Sequence, residues 1–187
     1  MTLDPKIQRL IDRLYPAETP GGRIYRSHCS QVAALALEIV CARGLSLDEE
    51  TVYAAAMLHD IGISQCDAPD IGCHGTQPYI CHGMLGADLL RREGLDERLA
   101  RVAERHTGSG LTAAEIAAEG LPLPADRSYM PESELERLVC YADKFYSKSG
   151  TGARKSLDKV RSQMARFGEA AAARFDALHR EFGLPGL

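Results

Sequence analysis

The sequence predicts an all-α fold, a single helical bundle that ends in an amphipathic helix, and three observations support this. Residues that begin or end helices recur along the chain, apolar residues repeat at spacings of three and four, and runs typical of strands are nearly absent. At 187 residues the chain is long enough for one domain with a full hydrophobic core, and short for two.

The predicted helices follow one another closely, except at one long loop. From the N-terminus they cover residues 5–14, 27–43, 46–58, 81–93, 96–106, 112–120, 131–147 and 154–182. Ser46 with Glu49, and Thr112 with Glu115, have the spacing of capping boxes, so we expect each pair to begin a helix. Residues 61–79 hold Gly, Pro, Asp and Ser without periodicity, which predicts a long loop of the kind that often carries function.

The last predicted helix has a continuous apolar stripe, which indicates a packing surface. Its members are Leu157, Val160, Met164, Phe167, Ala171, Phe175, Leu178 and Phe182. A boundary at 149–153 separates this tail, residues 151–187, from the domain of residues 1–150. We expect the tail to pack on that domain, or on a second copy in a homodimer. His179 lies one residue past the stripe and is expected to be solvated.

Composition and charge argue against several classes of protein. The formal charge of -4 gives no electrostatic reason to bind a nucleic-acid polymer or a membrane. No apolar run reaches the ~18 residues that a membrane span needs, and the N-terminus lacks the features of a signal peptide. We therefore expect a cytoplasmic protein with six free thiols. Cys29, Cys41 and Cys140 lie in apolar helical stretches, where cysteine acts as a small hydrophobic residue.

The other cysteines, Cys66, Cys73 and Cys81, lie with His74 in or beside the long loop. These four residues are possible zinc ligands. Their spacing, C-x₆-C-H-x₆-C, does not fit the tight pairs that structural zinc sites use. We therefore expect free thiols here, and the role of the loop stays open.

Five titratable residues lie on the apolar faces of five different predicted helices: His28, His59, His82, His106 and Asp143. A buried carboxylate is costly unless it is paired or bound to a cation, and a shared metal would remove that cost for the whole group. Imidazole and carboxylate ligands suit Fe, Mn, Co, Ni or Zn.

Asp60 follows His59 where the third predicted helix ends, so both side chains can turn inward. The two oxygens of a carboxylate in that place could each reach one cation and hold a metal pair ~3.5–4 Å apart.

This pattern resembles the HD-domain superfamily. His28, the doublet His59-Asp60 in Leu-His-Asp-Ile-Gly, and Asp143 in Tyr-Ala-Asp-Lys match its H…HD…D signature. The resemblance covers about residues 25–148, and it implies the helical bundle of that superfamily.

His82 in His-Gly-x-x-Gly-Ala and His106 in Arg-His-Thr-Gly match the additional pair of the branch that binds two metals. The string around His106 is similar to that of bacterial HD-type diadenosine tetraphosphatases. The stretch 82–148 is still more similar to small HDIG-containing proteins of unassigned substrate.

The resemblance implies a metal-dependent phosphohydrolase with about two divalent metals per chain. In such enzymes two cations polarise a phosphoryl oxygen and activate a bridging water, which attacks phosphorus in line. The implied ligands of one metal are His28, His59, Asp60 and Asp143. Those of the other are Asp60, His82 and His106, and Asp60 would also steer the attacking hydroxide. The implied substrate is a phosphate ester or anhydride of a nucleotide or another small molecule.

Basic residues near these ligands are candidate contacts for the substrate phosphate, with ordinary surface ion pairing as the alternative for each. They are Arg23, Arg26, Arg105, Lys144 and Lys148. One position departs from the family. Many members carry a basic residue directly after the HDIG string, where this chain has Ile63.

Two other functions therefore stay open. HD-type inositol and phosphonate oxygenases resemble the same six-ligand arrangement, with a mixed-valent iron pair that activates dioxygen. A metal-dependent binding module without turnover is the third possibility, although a purely structural site would not need six ligands. Two irons per chain would favour the oxygenase, whereas phosphatase activity with zinc or manganese would count against it.

Overall fold

A computed structural model describes residues 1–148 and 152–185, and it confirms the all-α prediction. The α-helices of this part of the chain are α1 (Pro5–Leu14), α2 (Pro20–Arg43), α3 (Glu49–Leu58), α4 (His82–Arg92), α5 (Glu97–Arg105), α6 (Ala113–Ala118), α7 (Glu134–Asp143), α8 (Leu157–Ala165) and α9 (Glu169–Phe182). The long loop between α3 and α4 contains an antiparallel pair of two-residue strands, β1 (Asp67–Ala68) and β2 (Cys73–His74). Three short 3-10 helices flank these strands, over Ile61–Gln65, Pro69–Ile71 and Tyr79–Cys81.

Several helix ends follow the capping residues that the sequence predicts. The Asp4 carboxylate accepts a hydrogen bond from the backbone N–H of Lys6 at 2.7 Å and caps α1. Gly44 ends α2 in the left-handed conformation, with a φ of 63°. Thr112 and Glu115 form both hydrogen bonds of a capping box at the start of α6. Local sequence therefore determines these boundaries directly.

Other predicted boundaries are wrong, and the starts of three helices differ because another residue caps them. The side chain of Asp48, not that of Ser46, accepts from the N–H of Thr51 and begins α3. Ser133 caps α7, which ends at Asp143 instead of continuing to residue 147. Helix α2 begins at Pro20, seven residues before its predicted start at residue 27, because Thr19 caps it.

The predicted C-terminal helix is in fact two helices. Gly168, with a φ of 98°, separates α8 from α9 and turns the chain. Phe167 at this turn is 64% exposed, so it does not belong to the buried stripe as predicted. The other stripe residues are buried apart from Leu157, which is partly buried. Helix α9 packs against α7 of the same chain, with the rings of Phe175 and Tyr141 5.7 Å apart.

The domain boundary predicted at 149–153 falls partly on residues 149–151, which lie outside the described residues.

Two expectations about single side chains are also wrong. His179 is half-buried, not solvated, and its Nδ1 shares a 2.8 Å hydrogen bond with the hydroxyl of Tyr141. Cys41 is exposed, because it lies on the outer face of α2, whereas Cys29 and Cys140 are buried. All six cysteines are free thiols.

Helix α2 is the centre of the bundle, because it packs against both α3 and α7, while α5 packs against α3, α4 and α7. The main hydrophobic core fills the space between these five helices. A smaller cluster of Cys81, Ile116, Leu123 and Tyr129 holds the segment around α6 near the start of α4. Within the described residues, none of the helices is both long and apolar enough to span a membrane.

Candidate metal centre

The six residues of the predicted site come together in the core. Each residue lies on a different part of the fold. His28 lies on α2, His59 at the end of α3, Asp60 in the turn after α3, His82 at the first position of α4, His106 at the end of α5 and Asp143 at the last position of α7. All six are buried, and Asp143 is the most accessible at 8% exposure. The five helices that the sequence singles out therefore converge on one point.

Asp60 lies at the centre of this cluster, because each of its oxygens faces a different pair of histidines. Oδ2 lies 3.2 Å from Nε2 of His28 and 3.2 Å from Nε2 of His59. Oδ1 lies 3.4 Å from Nε2 of His82 and 3.3 Å from Nε2 of His106. This carboxylate can thus bridge two groups of ligands.

Asp143 completes the first group. Its Oδ1 lies 3.0 Å from Nε2 of His28 and 3.5 Å from Nε2 of His59. Sets of three ligand atoms within 4.8 Å of one another include His28 with His59 and Asp60, and Asp60 with His82 and His106. A third set links His59, His106 and Asp143. The two main sets match the division that the family resemblance implies.

Backbone contacts fix the orientation of three of the imidazoles. Nδ1 of His59, His82 and His106 lies within hydrogen-bond distance of a carbonyl oxygen three residues earlier. These acceptors belong to Ala56, Tyr79 and Ala103, at 2.7, 2.7 and 2.8 Å. A carbonyl oxygen only accepts, so each Nδ1 carries a proton, and the Nε2 of a neutral ring then presents a lone pair to the centre.

The cluster fits a bound cation. Nε2 of His82 and Nε2 of His106 are 3.0 Å apart, and those of His28 and His59 are 3.3 Å apart. Two lone pairs that face each other repel unless a proton or a metal lies between them. The buried Oδ1 of Asp60 also has no hydrogen-bond partner among the described residues. These features, with an all-nitrogen-and-oxygen donor set, are compatible with a divalent metal.

The charges around the cluster favour the protonation states that metal binding needs. Burial would raise the pKa of Asp60, but Lys148 and His59 hold it well below its usual value. Burial is likewise outweighed at Asp143, where Lys144 lowers the pKa. Burial, reinforced by His106, lowers the pKa of His82 to about 3. The carboxylates are therefore charged and this imidazole is neutral, as metal ligands require.

The pKa of His106 is also lowered, mainly by burial. His59 behaves differently: burial would lower its pKa, but Asp60, Cys29 and Asp143 together outweigh burial and raise the pKa well above its usual value. The same negative potential would attract a cation to this side of the cluster.

Two of the predicted basic contacts lie at the cluster. Nζ of Lys148 is 2.6 Å from Oδ2 of Asp60, and Nζ of Lys144 is 2.6 Å from Oδ2 of Asp143. Lys144 also donates to the carbonyl oxygen of His106 at 3.0 Å. Lys148 follows α7, so a cation from the C-terminal end of the domain sequence contacts the central carboxylate.

The structure does not bring the three predicted arginines to the cluster. Arg23 donates to the carbonyl oxygen of Glu18, Arg26 pairs with Asp12, and Arg105 pairs with Glu132 and Glu136. Arg26 lies two positions before His28, which places it about 200° around α2 and away from the site. The contacts of these three residues are therefore ion pairs and a backbone hydrogen bond outside the cluster.

Ile63, the position where many family members are basic, is 2% exposed and lies in the hydrophobic core. A basic side chain would be unfavourable there. Lys148 instead supplies the positive charge next to Asp60.

A cavity of about 640 Å³ lies beside the cluster, within the range of roughly 300–1,000 Å³ typical of small-molecule sites. Asp143, Lys144, Lys148 and Tyr79 line its inner side. The loop residues 67–71 form a second wall. The C-terminal segment forms a third, with Lys155, Gln163, Met164 and Phe167. No local sequence signal distinguishes Lys155 from other surface lysines, so sequence reasoning missed it.

Tyr15 supports the turn that carries Asp60, and it was also missed. Its hydroxyl donates to the carbonyl oxygen of Ile61 at 3.0 Å and accepts from the N–H of Ser64 at 2.7 Å. Its ring stacks on Tyr25, with centroids 3.7 Å apart. Tyr15 directly follows α1, where neither spacing nor a motif identifies it.

The helical fold agrees with comparisons of the chain with known proteins. Residues 25–147 match the HD domain family, and the chain belongs to that family. An uncharacterized protein of Methanocaldococcus jannaschii is 40% identical over 119 residues, which is 62% of each chain. No solved structure gave a significant match.

Two longer archaeal proteins are also similar to this chain. A protein of Thermoplasma volcanium named tRNA (cytidine(56)-2'-O)-methyltransferase is 33% identical over 177 residues, 94% of this chain and 46% of that protein. One of the same name from Picrophilus torridus is 33% identical over 135 residues, 72% and 35% respectively. The chain thus spans less than two thirds of the length of each of these three relatives.

Proposed function

We propose that this chain is a metal-dependent phosphohydrolase that acts on a phosphate ester or anhydride of a nucleotide or other small molecule. The observation that carries the proposal is the pair of lysines beside the His/Asp cluster. Lys148 contacts Asp60, Lys144 contacts Asp143, and both line the cavity. Lysine is a common partner of phosphate, and two cations at the inner end of the cavity suit the charge of a phosphoryl group.

The proposed ligands of one metal are His28, His59, Asp60 and Asp143, and those of a second are Asp60, His82 and His106. Bound divalent cations would supply electrostatic stabilisation of the phosphoryl oxygens and lower the pKa of a water molecule. The native metal would be Fe, Mn, Co, Ni or Zn.

The side chains of this protein would bind the phosphate, orient the water and exclude bulk solvent. Lys144 and Lys148 would draw the phosphate to the inner end of the cavity and offset its charge. The charged carboxylate of Asp60 would orient the attacking water by accepting a hydrogen bond from it. The buried walls formed by α2, α3 and α7 keep bulk water from the cluster.

Methyl transfer, the activity in the names of the two longer relatives, is not what we propose for this chain. The chain spans only 46% and 35% of those proteins. Its polar centre consists of imidazole and carboxylate groups directed at one another. We infer that the named activity belongs to the part of those proteins that this chain does not span.

Asp60→Asn tests the proposal, because it keeps the size of the central side chain and removes its charge. We expect hydrolysis of nucleotides and p-nitrophenyl phosphate to fall by about a hundredfold or more, and bound metal to decrease. Elemental analysis and a phosphate-release assay measure these two quantities. Asp176→Asn is the control, since Asp176 on α9 forms a surface ion pair with Arg161 on α8.

Full activity of Asp60→Asn would contradict the assignment of the site. Two irons per chain with an electron-paramagnetic signal on partial oxidation, and no phosphatase activity, would instead support an oxygenase. Bound metal without turnover in a broad screen of phosphate esters with Mn, Fe, Co, Ni and Zn would support a binding module.

A further inference from the structure

The outer wall of the cavity comes from a segment that follows the HD domain match. Lys155 and Gln163 line the cavity together with Lys144 and Lys148. The family match ends at residue 147. This wall is therefore a property of this chain's own C-terminal segment.

Lys155 is held in place from two sides. Its backbone N–H donates to the carbonyl oxygen of Phe145 at 2.8 Å. Its Nζ donates to Oε1 of Gln163 on α8 at 3.2 Å. The side chain is half-buried, so contacts within the protein restrict its position.

Lys155 differs from Lys144 and Lys148 in the partner of its charged group. Lys144 and Lys148 each lie 2.6 Å from a carboxylate of the cluster. Among the described residues, no carboxylate lies within ion-pair distance of Lys155, whose Nζ contacts a neutral amide. Burial lowers the pKa of Lys155, and the neighbouring Lys144 and Lys148 add to this effect against the attraction of Asp143. A bound anion would stabilise a half-buried cation in such a place, and the described residues do not supply one.

We propose that Lys155 binds a second phosphate of the substrate, beyond the phosphate that reacts. This rests on the function proposed above, in which the reacting phosphate lies at Lys144 and Lys148. Lys155 contacts neither Asp60 nor Asp143, so its Nζ serves a group farther out in the same cavity. The amide nitrogen of Gln163 can donate to the same anion. The preferred substrate would accordingly carry two phosphates, as a diphosphate or a bisphosphate.

Binding to the metal-loaded protein tests this without turnover, with inorganic phosphate and methylenediphosphonate as calorimetric probes. We expect Lys155→Met to weaken binding of the diphosphonate by about tenfold, the scale of one charge-assisted hydrogen bond, and to leave binding of phosphate nearly unchanged. Lys155→Arg should retain most of the affinity. Lys159→Met is the matched control, because Lys159 is an exposed lysine on α8.

Equal weakening of both probes in Lys155→Met would overturn the proposal, since Lys155 would then contact the reacting phosphate. Unchanged binding of the diphosphonate would overturn it as well. Both results differ from failure of the proposed function, in which the wild-type protein hydrolyses no phosphate ester. Where the wild type is active, kcat/KM for a nucleoside diphosphate relative to a monophosphate should fall about tenfold in Lys155→Met only.

Discussion

At the scale of single residues, the site depends on groups that hold Asp60 as much as on Asp60 itself. The central carboxylate faces four imidazoles, yet its backbone lies in a turn and not in a helix. The hydroxyl of Tyr15 bonds to Ile61 and Ser64 in the 3-10 helix that directly follows that turn. The phenol of Tyr15, which directly follows α1 and precedes the HD domain match, thus positions the centre of the cluster.

Tyr15→Phe is expected to lower the free energy of unfolding by about 1–3 kcal/mol, because the N–H of Ser64 loses its partner. Hydrolysis and metal content should also decrease, since the turn is less firmly held. Urea denaturation and elemental analysis measure these effects. Tyr53→Phe, at a half-buried position on α3, is the control and should change both quantities little. A stable Tyr15→Phe protein with unchanged metal content would show that the turn does not need this hydroxyl.

At the scale of helices, the glycine of the HDIG string determines how closely α4 approaches the Asp60 turn. A β-carbon at Gly62 would lie 2.1 Å from the carbonyl oxygen of His82 and 2.4 Å from the backbone nitrogen of Gly86. No side chain fits this contact. The first residue of α4 is His82, so the same contact determines how far that imidazole lies from Asp60.

Gly62→Ala should therefore separate α4 from the turn. We expect a loss of about 3 kcal/mol or more in the free energy of unfolding, at the upper end of the cost of overpacking, together with a loss of bound metal. Gly120→Ala is a comparison variant, because Gly120 has a positive φ of 58° and open space around it. Its cost should be limited to backbone strain of about 1–2 kcal/mol, with metal content unchanged. Equal effects of the two variants on metal content would contradict this account of Gly62.

At the scale of the whole molecule, the cluster joins five helices at one buried point, so a bound cation would crosslink the bundle. Binding only to the folded state stabilises a protein by about 2.7 kcal/mol when the ligand is at a hundredfold excess over Kd. For a chain of this size that corresponds to a change in Tm of about 5–10 °C.

Chelation should accordingly lower the Tm of the wild-type protein by about 5–10 °C, and addition of Mn, Fe, Co, Ni or Zn should restore it. Differential scanning calorimetry measures the shift. The Tm of Asp60→Asn should respond much less to the chelator, because that variant lacks the central ligand. An equal response of both proteins, or binding of less than one metal per wild-type chain, would contradict a metal at this cluster.

The sequence by itself determined the all-α class, several helix ends and the six residues of the cluster. Caps such as Asp4 and Gly44 act on their own backbone, and helical spacing alone assigns His28 and Asp143 to apolar faces. These features depend on neighbours within a few positions along the chain. They can therefore be predicted from short stretches of sequence.

Only the tertiary structure decided which charged groups join the cluster. Arg105 is adjacent to His106 yet pairs with Glu132 and Glu136, whereas Lys148 reaches Asp60 from 88 positions away along the chain. The direction of a long side chain depends on the partners that the fold brings within reach, and spacing does not encode these. The support from Tyr15 arises in the same way, from contacts with Ile61 and Ser64 on a distant segment. Lys155 is held by nearer residues, but only the fold places it in the same cavity as residues 67–71.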